Sequence, residues 1–299
     1  MKIIPSYQPE VIRVTAGENK RIRLLDFDQA VVETGRSFIA FIQYTRELWG
    51  RRHLVRVLAG RDLKGSYEMN IVGFGWWLLE PLSLTAVYFV LINILSRGNA
   101  NDPTRLLSIL VALLPFKWFT SSLIGSMGVV RANASLVNDV YIPRALLPIT
   151  QLMIGLAHFG VGLLVVPIFM GLLGVGPSWA LLWLPVVIGV QFIFMLGIAY
   201  IFAVWGLNYR NLPNLMGNIL RLWFYLSPAL YTLAVLKGTY RTIMQFNPLT
   251  GIFQGYRGAI LTHQPPDWTL AYTAVLGFII VVLGGWFFTR REPHFGKLM

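Results

Sequence analysis

Apolar residues run in long unbroken blocks along this chain, without the alternation or narrow helical stripes of a soluble domain. Six blocks match the roughly 20 helical residues that a hydrocarbon core of about 30 Å requires. They lie near residues 71–95, 106–130, 145–173, 180–206, 212–235 and 268–289. The polar breaks RGNANDPTR, RANASLVNDVYIPR, LGVGPSW and GLNYRN separate the first five, and residues 236–267 precede the sixth. The pattern predicts an all-α integral membrane protein with six transmembrane helices, its spans occupying residues 69–299.

Two flanking patterns refine this picture. Residues 1–43 are polar and mixed in charge, and read as a cytosolic extension with short strands at most. Residues 44–68 bring Leu48, Val55, Ala59 and Leu63 near one helical face, with Arg46, Arg51, Arg56, Arg61 and Lys64 mostly elsewhere. Arg52 intrudes on the apolar stripe, but a long arginine snorkels. A basic amphipathic helix of this kind lies in the cytoplasmic interface of a membrane; the plainer alternative is a solvated basic helix. Between the fifth and sixth blocks, residues 243–262 (IMQFNPLTGIFQGYRGAILT) are too apolar for an ordinary loop and are broken at Asn247-Pro248. A full span here would put the basic tail FFTRREPHFGKLM on the wrong side. The expectation is a pair of short re-entrant half-helices in the outer leaflet, carrying Arg257. Irregular backbone at that depth must be buried in protein or face water. A surface loop with an amphipathic helix is the alternative.

Composition agrees with the pattern. The 299 residues are 56% hydrophobic and only 13% charged, with a mean hydropathy of +0.61; soluble domains carry about 25% charged residues. The net charge of +12 is better read as cytoplasmic Lys and Arg near anionic lipid than as a nucleic-acid surface. Eighteen Lys and Arg fall on the side holding both termini and five on the other. Both termini are therefore expected in the cytoplasm. Trp76, Trp77, Trp205 and Trp286 then sit near the inner interface, and Trp179, Trp183 and Trp268 near the outer one.

Two charges stand inside the apolar blocks. Glu80 lies nine residues from the inner end of the first block, about 14 Å deep at 1.5 Å per residue. Lys117 lies eleven residues from the outer end of the second, about 16 Å in. A charge at the bilayer centre costs about 2.5–3.5 kcal/mol on insertion scales. The two blocks form an antiparallel hairpin, so Glu80 and Lys117 are expected to pair, or to face one wet cavity. Either they brace the hairpin or they line a path. Pro81 and Pro115 beside them predict irregular helices at that level.

Several chemistries are excluded. There is no cysteine, and the four His at 53, 158, 263 and 294 lack metal-ligand spacing. No phosphate-binding loop of the G-x-x-x-x-G-K-[ST] kind occurs, so ATP and Mg would have to be bound by a partner. No site for a cofactor or metal is expected in this chain. A membrane glycosyltransferase would need catalytic carboxylates in a sizeable loop, and none is present.

Five stretches together resemble one family. LAGRDLKGSYEMNIVGFGWWLLEPL, NASLVNDVYIPRALLPI, NYRNLPNLMGNILRLWFYLSPALY, FNPLTGIFQGYRGAIL and FFTRREPHFGKLM resemble the permease subunits of type-2 ATP-binding-cassette exporters. The likeness is to the polysaccharide, O-antigen and teichoic-acid branch, and it covers residues 44–299. The chain departs from the family's pattern at Asn211, where an Asp is usual, and at Gly65-Ser66, where a more basic stretch is usual.

The resemblance implies a homodimer working with two copies of a nucleotide-binding ATPase subunit, in the bacterial inner (plasma) membrane. It would be a transport channel, not an enzyme by itself. The ATPase would dock on a loop helix, through Leu136, Val140 and Tyr141. The cargo would be a polyprenyl-diphosphate-linked glycan, such as a lipopolysaccharide O-antigen, moved from the cytoplasmic to the outer face. Arg51, Arg52, Arg56 and Arg61 would meet the lipid headgroup and diphosphate. Tyr88, Phe116, Trp118, Phe119, Phe224, Tyr225 and Tyr231 are the candidates for an aromatic sugar path. A permease for a drug or a free lipid has the same architecture and remains the alternative.

Overall fold

The computed structural model describes residues 50, 52–68, 75–95, 104–134, 143–292 and 295. The described residues are helical, with no strand among them. In chain order the α-helices are α1 (Arg52–Glu68), α2 (Gly75–Leu95), α3 (Thr104–Ala132), α4 (Leu146–Leu163), α5 (Val165–Leu172), α6 (Leu184–Asn208), α7 (Leu212–Leu226), α8 (Gly238–Gln245), α9 (Pro248–Arg257) and α10 (Trp268–Arg291).

Among the described residues, four segments are long and apolar enough to cross a membrane: Thr104–Ala132, Leu146–Leu172, Trp179–Asn208 and Trp268–Arg291. Among the described residues, α2 carries a shorter apolar stretch, Leu79–Leu91, which includes Glu80. The sequence predicts a fifth span over 212–235, and here the structure differs. Helix α7 has 15 residues, about 22 Å of rise. It stops because Pro228 follows Ser227, whose backbone is extended at φ −94°, ψ 156°, as a residue before proline prefers. An irregular turn and a short 3-10 helix at Leu233–Val235 follow. The break at Asn247-Pro248 separates α8 from α9 as the sequence suggests, with Pro248 at the first helical turn and the Asn247 side chain accepting from the Leu249 N–H at 3.1 Å. The first of these two short helices starts earlier than expected, at Gly238, and none of its residues is buried.

Contacts give the helix directions. Glycine contacts pair α3 and α4 in reverse order: Gly125 of α3 faces Gln151, and on α4 Gly155 faces Ser122 and Trp118 and Gly162 faces Leu114. Helices α3 and α4 are thus antiparallel. Gln191 of α6 reaches Pro115 of α3 and Gly206 meets Met127, so α6 runs parallel to α3. Gly277 meets Phe194 and Tyr200 packs on Phe288, so α10 runs parallel to α6. Among the described residues, the largest helix–helix contact is between α6 and α10. There Gly197 and Gly284 bring the two backbones together, the close approach of small residues that stabilises helix pairs in lipid.

A Cβ added to Gly197 would stand 2.5 Å from the backbone of Ile280 and Val281. Gly197→Val is therefore expected to lower stability by about 1–3 kcal/mol or more, the cost of overpacking. Gly189 on the same helix meets nothing within 4 Å, and Gly189→Ala should be neutral or slightly stabilising. Thermal melting of the two variants in detergent checks the contrast; equal melting points would contradict the packing account.

Helix α1 buries Val55, Leu58 and Ala59 against the bundle and exposes Arg56 and Lys64. Leu58 belongs to the same apolar cluster as Val129, Val130, Leu147 and Phe288. The tail returns to this end: Phe295 is buried against Phe288, and Glu292 accepts the Arg144 N–H at 3.0 Å. The outer faces of α5 and α10 are apolar and exposed at Ile168, Leu172, Val275 and Phe278, as lipid-facing surfaces are. Trp179, Trp183 and Trp268 are exposed at one end of the bundle, and Trp205 at the other.

Candidate functional site

A cavity of about 490 Å³ opens between α2, α3 and α7. Helix α2 contributes Glu80 and Tyr88, α3 contributes Phe116, Lys117 and Thr120, and α7 contributes Arg221, Phe224 and Tyr225. The helix period explains the grouping. Gly217, Arg221 and Phe224 recur at four and three residues along α7 and line the same wall.

Lys117 Nζ donates to Glu80 Oε1, an ion pair joining α2 to α3 across the hairpin. Their side chains remain 36% and 35% exposed, so the pair sits on the cavity wall instead of in a dry core. Both helices continue through their prolines. The carbonyl of Pro81 accepts the Thr85 hydroxyl at 2.7 Å. The carbonyl of Pro115 accepts Gln191 Nε2 at 2.8 Å, and Gln191 Oε1 in turn accepts the Tyr256 hydroxyl at 2.9 Å. This buried network ties α3, α6 and α9 together with its polar atoms satisfied.

The aromatic lining is continuous. Phe116 and Phe224 have ring centroids 4.5 Å apart, and Tyr88 lies 5.9 Å from Phe224. The Tyr88 and Tyr225 hydroxyls are 3.0 Å apart, within hydrogen-bond distance. Three sequence candidates stand elsewhere. Trp118 is buried between α3 and α4, donating to the Leu152 carbonyl at 3.1 Å and stacking on Phe159. Phe119 is buried against Phe194 and Trp223. Tyr231 lies beyond the end of α7, its hydroxyl donating to the Leu226 carbonyl at 3.3 Å. These three fill core and turn instead of lining the cavity. Arg221 is the charged lining residue outside the sequence candidates. Its place beside the Phe224-Tyr225 pair on one helical face was the available signal.

Lys117 also borders a narrow gap toward Trp118, Ser121 and His158. Beyond it lies a second cavity of about 260 Å³, between α1, α3 and α4, lined by Asp62, Ser121, Ser122, Gln151 and His158. The buried Ser122 hydroxyl lacks a hydrogen-bond partner among the described residues. Ser121 and His158 border both the gap and the second cavity.

Of the basic cluster, Arg56 is exposed. Arg61 is engaged: its guanidinium contacts Asp62 at 2.7 Å and donates to Asn133 Oδ1 at 3.0 Å, tying α1 to the end of α3. Arg51, the side chain of Arg52, and Leu136, Val140 and Tyr141 lie outside the described residues.

Arg257 is buried at 4% exposure. Nη1 donates to the carbonyls of Pro228 at 2.6 Å and Tyr231 at 3.0 Å, and Nη2 donates to that of Ala229. A longer contact, 3.4 Å, runs from Nε to the Ser108 carbonyl. The guanidinium thus holds the turn that ends α7. Asn247 holds the same turn from the other side, donating from Nδ2 to Ser227 Oγ at 2.8 Å and accepting from Trp223 Nε1 at 3.2 Å.

The chain is 30% identical over 255 residues to the O-antigen export system permease protein RfbA of Myxococcus xanthus, covering 84% of this chain and 97% of that one. The chain belongs to the polysaccharide-export permeases of ATP-binding-cassette exporters. It is 26% identical over 247 residues to an RfbA permease of Klebsiella pneumoniae, covering 82% of this chain and 95% of that one. The polysialic acid transport protein KpsM of Escherichia coli is 22% identical over 252 residues, covering 80% and 93%. No family model matches the chain. With its four long apolar helices, this permease is a multi-pass membrane protein.

Proposed function

We propose that this permease is the transmembrane subunit of an ATP-driven exporter that moves a polyprenyl-diphosphate-linked polysaccharide from the cytoplasmic to the outer face of the bacterial inner membrane. The observation that carries the reading is the α2–α3–α7 cavity. It brings together aromatic faces and hydroxyls, which suit sugar binding, and adds charged groups. In this reading α2 and α7 complete a six-span topology with cytoplasmic termini, and α8 and α9 are the outer re-entrant pair.

The permease works as a homodimer. Leu84, Val87, Leu91, Leu215 and Leu222 on α2 and α7 are apolar and exposed beside the cavity, and a second copy would cover them. The path then runs between the two copies, with each cavity forming part of its wall. Two ATPase subunits bind and hydrolyse ATP with Mg and dock on the loop through Leu136, Val140 and Tyr141. The headgroup arrives beside α1, near Arg51, Arg52, Arg56 and Arg61. The second cavity offers a polar way from α1 toward Lys117.

The test is to purify the tagged chain in mild detergent and identify what accompanies it by mass spectrometry. An ATPase subunit at one-to-one stoichiometry with a polyprenyl-linked glycan is the expected result. An ATPase accompanied by a free lipid or a drug-like molecule, with no glycan, would favour the alternative cargo. No ATPase at all, from cells expressing one, would overturn the exporter.

A further inference from the structure

We infer that the α2–α3–α7 cavity is an anion subsite, which takes a carboxylate or phosphate group of the translocated molecule on Arg221, with Lys117 beside it. The inference rests on reading that cavity as part of the polysaccharide path. Charge is the first ground. The lining holds one carboxylate, Glu80, and two cations, Lys117 and Arg221. Glu80 is matched by Lys117. Arg221 is exposed, and among the described residues no carboxylate pairs with it. A neutral sugar needs only aromatic faces and hydroxyls, which the cavity supplies without it. An unmatched cation in an apolar helix is costly, and an anionic group in the cavity would match it.

Donor geometry is the second ground. A guanidinium presents five N–H donors in a planar fork that fits two oxygens of one carboxylate or phosphate. Lys117 has three N–H donors, of which Glu80 takes one. Tyr88 and Tyr225 share one hydrogen bond, so one of their two O–H groups is left to donate. Thr120 uses its hydroxyl proton on the carbonyls of its own helix. The charged and phenolic groups make the cavity rich in donors, which suits an acceptor-only ligand.

Glu80 should then oppose the ligand. It occupies Lys117 and repels a second anion, so its neutral amide should improve binding. A residue that merely braces the helices would not have that effect. Glu80→Gln keeps an acceptor oxygen for Lys117, and Arg221 is exposed, so neither change removes buried packing.

The experiment measures equilibrium binding of D-glucuronate, inorganic pyrophosphate and D-glucose to the full chain in nanodiscs of zwitterionic lipid at low salt. At least one anion is expected to bind about tenfold or more tightly than glucose, the scale of a charge-assisted contact. A preference for glucuronate would assign the site to acidic sugars; a preference for pyrophosphate would assign it to the diphosphate linker. Arg221→Gln should remove the preference, Arg221→Lys should keep part of it, and Glu80→Gln should tighten anion binding about three- to tenfold. Glucose binding as well as both anions, no saturable anion binding, unchanged binding in Arg221→Gln, or no gain in Glu80→Gln would each overturn the subsite. If glycan and ATPase still co-purify with the chain, the exporter reading stands without the subsite. If neither does, the exporter reading falls independently of these affinities.

Discussion

Exchanging the charges of Glu80 and Lys117 is expected to restore most of the export that either single reversal destroys. Each side chain is the other's partner across the α2–α3 hairpin. Removing one member of a buried pair costs about 3–5 kcal/mol, largely because the other is left uncompensated. Here the side chains are 36% and 35% exposed, so cavity water lowers that figure. The double variant re-forms the pair in the opposite sense. The two singles should also differ. Glu80→Lys gathers three cations around one cavity, whereas Lys117→Glu gives two carboxylates with Arg221 on the facing helix. Lys117→Glu should therefore be the milder. Surface glycan in cells lacking the native chain, together with melting in detergent, measures both effects. A double variant no better than the worse single would show that the two groups act separately.

What the sequence makes legible here depends on whether a feature is local. Runs of apolar residues mark spans directly, and the four membrane-length segments among the described residues follow them. Glu80 and Lys117 could be set at one level because depth along a straight helix is counting, and adjacent spans form a hairpin. The end of α7 was harder. The block 212–235 is apolar throughout, but Pro228 holds Ser227 extended, and hydropathy averages over that stop. Trp118 and Phe119 show the opposite limit. They are neighbours of Lys117 in sequence, yet point to α4 and to α6 and α7, because adjacent helical positions do not share a face. Arg221 stands inside or at the edge of an apolar block and belongs to neither side of the charge count. Its meaning comes from α2 and α3, which sequence spacing on α7 alone does not bring near it.

Replacing Arg257 by Met should unfasten the turn that ends α7, and Lys should not rescue it. The guanidinium bonds three successive parts of one turn, the carbonyls of Pro228, Ala229 and Tyr231. A methionine fills similar space but satisfies none of them. Each buried carbonyl left without a donor costs about 1–3 kcal/mol, and the costs add imperfectly because the turn can relax. A lysine carries the charge but concentrates its donors at one nitrogen, which cannot reproduce the planar fork. The turn fixes where α7 stops and connects it to the stretch leading to α8. Its loosening should reach the cavity through Phe224 and Tyr225, which stand within one turn of Ser227. Hydrogen exchange provides the readout. Amides of residues 229–236 should exchange at least about tenfold faster in Arg257→Met, the factor expected for a loss of about 1.4 kcal/mol in local stability, while amides of the α6–α10 contact around Gly197 stay protected. Unchanged exchange at 229–236 would mean that Asn247, through Ser227, holds the turn without the arginine. Uniformly faster exchange would mean that Arg257 supports the whole bundle, and its role as a local fastening would be wrong.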